Sequence, residues 1–360
     1  MTMRFSRRLY IFLLILLSML VFVACASPAP APAQPPTQTP AVDPPAGGEP
    51  APVDLTGAPP QPDNFPRGSL TGICPWAAGG ATDISFRAFM SSLSNVIGTD
   101  INVLNVTGGS GSIGITQALA APPNGYTIAM LNYDTLSNEI SGVTQDSFRD
   151  FQILNIFTVQ STNFFVSADS GWETFEEFRQ AALDALAADT HLQIGVAGLW
   201  YHAAILMARE AGISEAITII PFTGSAYLIT ELLGGHLDGI ATTMAIALPH
   251  LDAGTMLNLG TMREERMEDF PHIPTFIEMG YDVVQSSFRA AAVHRDTPQE
   301  IVDWLRWAAE VAWHSPDFLD WAIDAQADPY FMNYADATTY LENLQPVIRG
   351  IMEDLGLAAN

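Results

Sequence analysis

The amino-acid sequence predicts an α/β fold in which mostly parallel sheets are flanked by helices. Two observations carry this expectation. Short apolar runs of strand length alternate with amphipathic stretches of helical length, a pattern that builds parallel sheets through helical crossovers. The chain of 360 residues is also long enough for about two domains of ordinary size.

In chain order, the first element is an address rather than part of the fold. Arg4, Arg7 and Arg8 precede an apolar run over residues 9–23, the layout of a signal peptide and short for a spanning helix. The run ends Val-Phe-Val-Ala before Cys25, which resembles a bacterial lipobox, so residues 1–24 are expected to be removed and Cys25 lipidated. Residues 26–66 then hold 14 of the 25 prolines, among Ala, Gln, Thr and Gly. A composition of this kind buries no core and predicts a disordered or polyproline-like tether over 25–66. Roughly 40 such residues reach on the order of 120 Å when extended, enough to hold a folded body away from a membrane.

The body starts near residue 67. Residues 69–74, 101–106, 127–131, 193–196, 217–221, 239–242 and 256–259 read as strands, and 82–96, 174–188, 201–211 and 226–233 as helices. From 298 to 355 the pattern is largely helical: Pro298 opens a helix whose apolar face is Ile301, Leu305, Ala308, Ala309 and Ala312.

Charge limits the partners. All 14 basic residues are arginine, against 39 acidic ones, for a formal charge of −25; removal of residues 1–24 leaves 11 arginines and −28. No basic stripe is available for phosphates, so nucleic acid is excluded, and an anionic membrane surface is not attracted. With Cys25 acylated, Cys74 is left without a disulfide partner in the chain.

In open α/β sheets ligands bind where strands end and helices begin. Three loops fit that position. Residues 75–83 (PWAAGGATD) leave a strand and enter a helix with Thr82 as candidate N-cap; the paired glycines bare backbone N–H groups, and the helix dipole favours an anion there. Residues 195–202 (GVAGLWYH) join another strand to a helix, with Trp200 and Tyr201 able either to cover a ligand or to pack in the core, and His202 on the first turn. Residues 108–114 (GGSGSIG) spell G-x-G-x-x-G, with Asp134 20 residues beyond Gly114, the spacing of a dinucleotide fingerprint. The helix after it must stop before Pro122-Pro123, which is short for a dinucleotide-binding unit. No G-x-S-x-G, H-E-x-x-H, P-loop or Cys/His cluster occurs, and the seven histidines are scattered.

These segments together resemble substrate-binding proteins of the tripartite tricarboxylate transporter family, the TctC or Bug family. Residues 75–83 are similar to its P-F-x-x-G-G-x-x-D loop, and Asn105 with 108–114 to its N-x-x-G-x-G-x-x-G segment. Residues 121–127 (APPNGYT) resemble P-P-D-G-Y-T, and 221–238 resemble P-Y-x-G-x-x-x-x-x-x-L-L-G-G-x-V-D. Residues 247–254, 273–281 and 287–298 continue the register. The second loop departs from S-x-G-x-G-S-x-x-H: Val196 stands in place of the first glycine and Leu199 in place of the second serine.

The resemblance implies a two-lobed periplasmic-binding-protein-like fold of type II, with 67–165 and 288–360 as lobe 1, 166–287 as lobe 2 and a hinge between them. It implies a ligand set of Trp76, Ala78, Gly79, Gly80, Thr82, Asp83, Gly198, Leu199, Trp200, His202, Thr243 and Arg289. One carboxylate would lie between the facing loops, Asp83 would act through water or by orienting its loop, and Arg289 would pair with a distal carboxylate or form a salt bridge. The two tryptophans favour a larger apolar or aromatic acid over a short aliphatic dicarboxylate or citrate. The implied protein is a monomer with no catalytic step, metal or cofactor. It is anchored outside the cytoplasm by Cys25 and delivers a di- or tricarboxylate or aromatic acid to two membrane subunits. A sensory lipoprotein and an NAD-dependent oxidoreductase are the alternatives.

Overall fold

The computed structural model describes residues 57–198 and 200–359; the expected leader, Cys25, the tether to residue 56, and Leu199 lie outside the described residues. Residues 57–66, expected to close the tether, run along the body. There Phe65 is buried edge-on to Tyr126 at 5.0 Å and Trp304 at 5.9 Å. A Pro-rich segment has no reason to dock until it carries a large apolar ring, and Phe65 supplies one.

The chain begins with β1 (Leu70–Cys74), α1 (Ala81–Ile97), β2 (Ile101–Asn105), α2 (Ser112–Leu119), β3 (Thr127–Asn132), α3 (Tyr133–Ile140) and β4 (Phe151–Ser161). It continues with β5 (Asn163–Ser167), α4 (Phe175–Ala187), β6 (Leu192–Ala197), α5 (Trp200–Glu210), β7 (Ile217–Phe222), α6 (Ser225–Leu233), β8 (Gly239–Thr242), α7 (Met244–Asp252) and β9 (Met256–Thr261). It ends with β10 (Ser286–His294), α8 (Gln299–Trp313), α9 (Pro316–Asp324), β11 (Pro329–Asn333) and α10 (Tyr334–Asp354).

Two sheets result, in the orders β11-β4-β10-β3-β1-β2 and β7-β6-β8-β5-β9. Each holds a parallel trio, β2-β1-β3 in the first and β7-β6-β8 in the second, joined through helices. Each is completed by antiparallel pairs made by β10 and β11, or by β5. The two lobes exchange chain at two places. Asn163 already pairs with Thr242 and Thr261 of the second sheet, so the first passage lies at Thr162 and not after residue 165. The return lies at Gln285, because Ser286 and Ser287 pair with β4, and not after residue 287. The passages are bonded together: Thr162 N donates to Gln285 O at 2.9 Å, Met262 N to Thr162 O at 2.8 Å and Gln285 N to Met262 O at 2.9 Å.

Strands β4, β5, β10 and β11 escape the sequence pattern. Strand β4 (FQILNIFTVQS) lies between β10 and β11 and is buried at most positions, so it shows no alternation of apolar and polar residues. The helical reading holds better. All five residues of the expected α8 face are buried, and Leu305 alone is worth about 1.5–3 kcal/mol of transfer. Thr174 caps α4 in a capping box: its side chain accepts from Glu177 N at 3.2 Å, and Glu177 Oε2 accepts from Thr174 N at 3.0 Å. Helix α1 differs. Its N-cap is Gly80, with no side-chain bond, and Thr82 sits within the first turn.

Candidate functional site

Both halves of the molecule bring strand ends to one narrow cleft. It is lined by Trp76, Gly80, Thr82, Asn132 and Asp134 from the ends of β1 and β3, and by Ser287 and Arg289 on β10; Ala197, Trp200, Gly224 and Ser225 face them from the second lobe. The cleft is nearly shut, with about 10 Å³ free, room for little more than one water. The loops touch across it: Ala77 N donates to Thr223 O at 3.4 Å and Ala81 N to Ser225 Oγ at 2.9 Å.

The first loop is held from behind. Asp83 Oδ2 accepts from Gly79 N at 2.9 Å, while Oδ1 accepts from Arg87 Nε and Asn105 Nδ2, each at 2.8 Å. Asn105 Nδ2 also donates to Trp76 O at 2.8 Å. Asp83 therefore orients the loop from within the protein. Gly79 has its N–H committed to that carboxylate, and Ala78 and Gly79 are exposed and not among the residues that line the cleft. Of the first-turn N–H groups of α1, which have no partner within the helix, that of Ala81 is already taken by Ser225 Oγ.

The glycine-rich segment serves the same loop. A Cβ on Gly114 would lie 2.7 Å from Val106 O and 2.9 Å from Pro75 Cα, and one on Gly111 would lie 3.6 Å from Trp76 Nε1. These glycines let α2 seat closely beneath Pro75 and Trp76. That close approach, in place of a pyrophosphate, accounts for the apparent dinucleotide fingerprint.

The chemistry of the cleft is set by buried donors. Trp76 Nε1, Trp200 Nε1, and Nε and Nη1 of Arg289 are all buried without a hydrogen-bond partner among the described residues. An unsatisfied buried donor costs about 1–3 kcal/mol, more when charged, so four such atoms on three residues that line the cleft are costly unless something binds there. Arg289 is fully buried opposite Asn132 in the β10–β3 register, and burial lowers its pKa to about 10, so it stays protonated at neutral pH. Asp134 supplies the opposing charge: its Oδ2 accepts from Asn132 Nδ2 at 2.7 Å, and a Cβ on Gly198 would fall 2.7 and 2.8 Å from its two oxygens.

Two further expected residues are not among those lining the cleft. Thr243 is the buried N-cap residue of α7. His202 is buried against Tyr133, with ring centroids 5.9 Å apart, and burial lowers its pKa to about 4. Its neutral form is thus the one the fold accommodates. Because the folded pKa lies below the unfolded value near 6.5, the unfolded state takes up the proton first as pH falls. Stability is then lost from about pH 6.5 down to 4, by about 2–3 kcal/mol at pH 4.5. Melting curves at pH 7 and 4.5 check this: His202→Gln should lose markedly less stability than the parent between the two.

Asn132, Asp134, Ala197, Gly224, Ser225 and Ser287 were not anticipated. Gly224 and Ser225 stood in the recognised segment 221–238, and Asp134 at the dinucleotide spacing, so both signals were visible and lacked only a place in space. A roomier depression of about 930 Å³ lies in the second lobe between α4, β9 and residues 266–281. Two polar pairs hold its wall, Tyr281 Oη donating to Glu176 Oε2 at 3.0 Å and Arg266 Nε to Glu278 Oε2 at 2.8 Å, and none of its lining side chains is among the buried unpartnered groups of the described residues. It therefore lacks the unpartnered donors of the cleft.

Comparisons with known proteins bear on the family and the fold. The family model described as tripartite tricarboxylate transporter family receptor matches residues 85–357. A UPF0065 protein from the gbd 5' region of Cupriavidus necator is 28% identical over 307 residues, covering 83% of this chain and 90% of its own. A TctC solute-binding protein from Polaromonas is similar in structure at 27% identity and a TM-score of 0.59, with 81% and 99% of the two chains covered. MatC from Rhodopseudomonas palustris, solved with bound malate, shares the fold at 22% identity and a TM-score of 0.70, over 81% and 99% of the chains.

Proposed function

The chain belongs to the tripartite tricarboxylate transporter receptor family, a family of extracytoplasmic solute-binding proteins and not of enzymes, and on that premise we propose that it closes its two lobes on a small organic carboxylate. The observation that supports this reading is the set of four buried, unpartnered N–H groups on Trp76, Trp200 and Arg289. A carboxylate accepts several hydrogen bonds at once, and Arg289 can meet it with two parallel ones. Thr82 and the first turn of α1 stand on the same cleft, so the helix N-terminus adds to the field on the anion. The bound malate of MatC is in keeping with an acid of this size. Entry requires the lobes to part, because the closed cleft leaves about 10 Å³.

The acid would then pass to the two membrane subunits of a tripartite transporter, which would recognise the closed form. Lipidation at Cys25 would hold the protein on the outer face of the membrane, with residues 26–56 as the spacer. A thermal-shift screen with mono-, di-, tricarboxylic and aromatic acids tests the binding reading. An acid present at a hundred times its dissociation constant adds about 2.7 kcal/mol, a shift of several degrees. A flat response across all four classes overturns it. For the anchor, Cys25→Ser is expected to move the protein from the membrane to the soluble fraction, measured by fractionation and immunoblotting.

A further inference from the structure

We infer that a groove beside α8 holds the last stretch of the tether, with Val53 and Leu55 seated in it and Trp307 donating to a backbone carbonyl of residues 50–56. The groove encloses about 280 Å³ and is lined by Leu154 of β4, Arg306 and Trp307 of α8, Phe331 of β11 and Tyr334 at the start of α10. Arg306 lies 3.7 Å over the Tyr334 ring and donates from Nε to Ile153 O at 3.0 Å, which fixes that wall. Trp307 Nε1 is buried with no hydrogen-bond partner among the described residues. Gly57 and Pro59 line the same groove, and Gly57 is the first described residue.

Three observations point to that occupant. The first is the direction of the chain. Read backwards, Phe65 packs on Trp304, and Gly57 and Pro59 share the groove with Trp307, one turn further along α8, so residues 53–56 come next on the same track. Two residues span at most about 7 Å, which keeps Leu55 within reach of the groove. The second is composition. Residues 26–64 hold one leucine, Leu55, two valines, Val42 and Val53, and no isoleucine, methionine or aromatic residue. Phe65 shows that this Pro-rich segment docks where it carries an apolar side chain. Strand-like alternation puts Val53 and Leu55 on one side and Asp54 on the other, away from the groove's acids, Asp303 and Glu310. The third is the donor. Prolines supply carbonyls without N–H groups, and extended Pro-rich segments dock in aromatic-lined grooves; Trp307 Nε1 is a donor suited to such a carbonyl. Because Gly57 joins the segment to the body, its effective concentration is on the order of millimolar or above. Residues 53–66 thus form a strap along α8 that fixes where the tether leaves the first lobe, and the free spacer is residues 26–52. The inference goes beyond the carboxylate reading and does not depend on it.

The test is amide hydrogen exchange on the full mature chain carrying Cys25→Ser, beside a synthetic peptide of residues 50–58. The amides of residues 53–57 are expected to exchange about tenfold or more slowly in the protein than in the peptide. Leu55→Asp and Trp307→Ala should each bring them to within about threefold of the peptide, and Val42→Asp should leave them protected. Leu55→Asp keeps the test decisive if Trp307→Ala fails to fold, which its melting curve would reveal. The indole N–H resonance of Trp307, identified by its loss in Trp307→Phe, should shift in Leu55→Asp. Exchange at the peptide rate in the parent overturns the inference and leaves the groove to another occupant. Protection that survives Val53→Asp and Leu55→Asp together, or that Val42→Asp removes equally, overturns the role of Val53 and Leu55. An indole resonance that does not move overturns the bond from Trp307.

Discussion

Arg289→Met is expected to weaken acid binding by about a hundredfold or more while leaving the unliganded protein folded. Two facts set the size. Nε and Nη1 of Arg289 are buried with no hydrogen-bond partner among the described residues, so their removal breaks no hydrogen bond there. In the complex the same two atoms would meet a carboxylate, and a hydrogen bond involving charge contributes about 1.5–3 kcal/mol. Methionine fills much of the volume but removes the charge that opposes buried Asp134, so the apo melting temperature should fall by several degrees while the protein stays folded. Lysine is a harsher test of geometry, because a point charge cannot replace a planar fork, and Arg289→Lys should recover only part of the loss. Calorimetric titration against the best acid of the screen, beside apo melting curves, checks both halves. A dissociation constant within threefold of the parent's would remove Arg289 from the site.

How much of this was legible beforehand depends on whether a residue's role is local. Trp76, Thr82 and Trp200 could be placed from the chain because strand-loop-helix junctions are local patterns and ligands gather at them. The direction of a loop is not local. Gly79 looked like part of an anion nest until its N–H proved to be taken by Asp83, a bond that depends on Arg87 and Asn105 holding the carboxylate in place. Asp134 lies 20 residues beyond Gly114, and that spacing alone points to a nucleotide. Its real neighbours are Asn132, on the adjoining strand end, and Gly198, which arrives from the other lobe. Strand β10 was the hardest to read. It returns to the first sheet after the whole second lobe, and only there does Arg289 come opposite Asn132. Non-local strand pairing of this kind leaves no periodic trace in the chain.

The second large effect is expected from a single methyl group. Gly198→Ala should lower acid affinity by about a hundredfold or more and leave the unliganded molecule more open, because the closed lobes have no room for the added atom. A Cβ there would lie 2.7 and 2.8 Å from the Asp134 oxygens and 2.8 Å from Trp76 Cζ2. All three atoms belong to the opposite lobe, so the clash is relieved by parting the lobes and not by unfolding either. The backbone at Gly198 is also left-handed, with φ +56°, which costs a non-glycine residue about 1–2 kcal/mol wherever it occurs. Gly212 separates the two causes. It follows α5 in the same lobe with φ +68° and has nothing within 4 Å of its Cβ position, so Gly212→Ala carries the backbone strain without the collision. Both variants should melt a few degrees below the parent. Only Gly198→Ala should lose acid binding and show a larger radius of gyration by small-angle scattering. Equal binding by the two alanine variants would mean that closure of the lobes does not run through Gly198, Asp134 and Trp76.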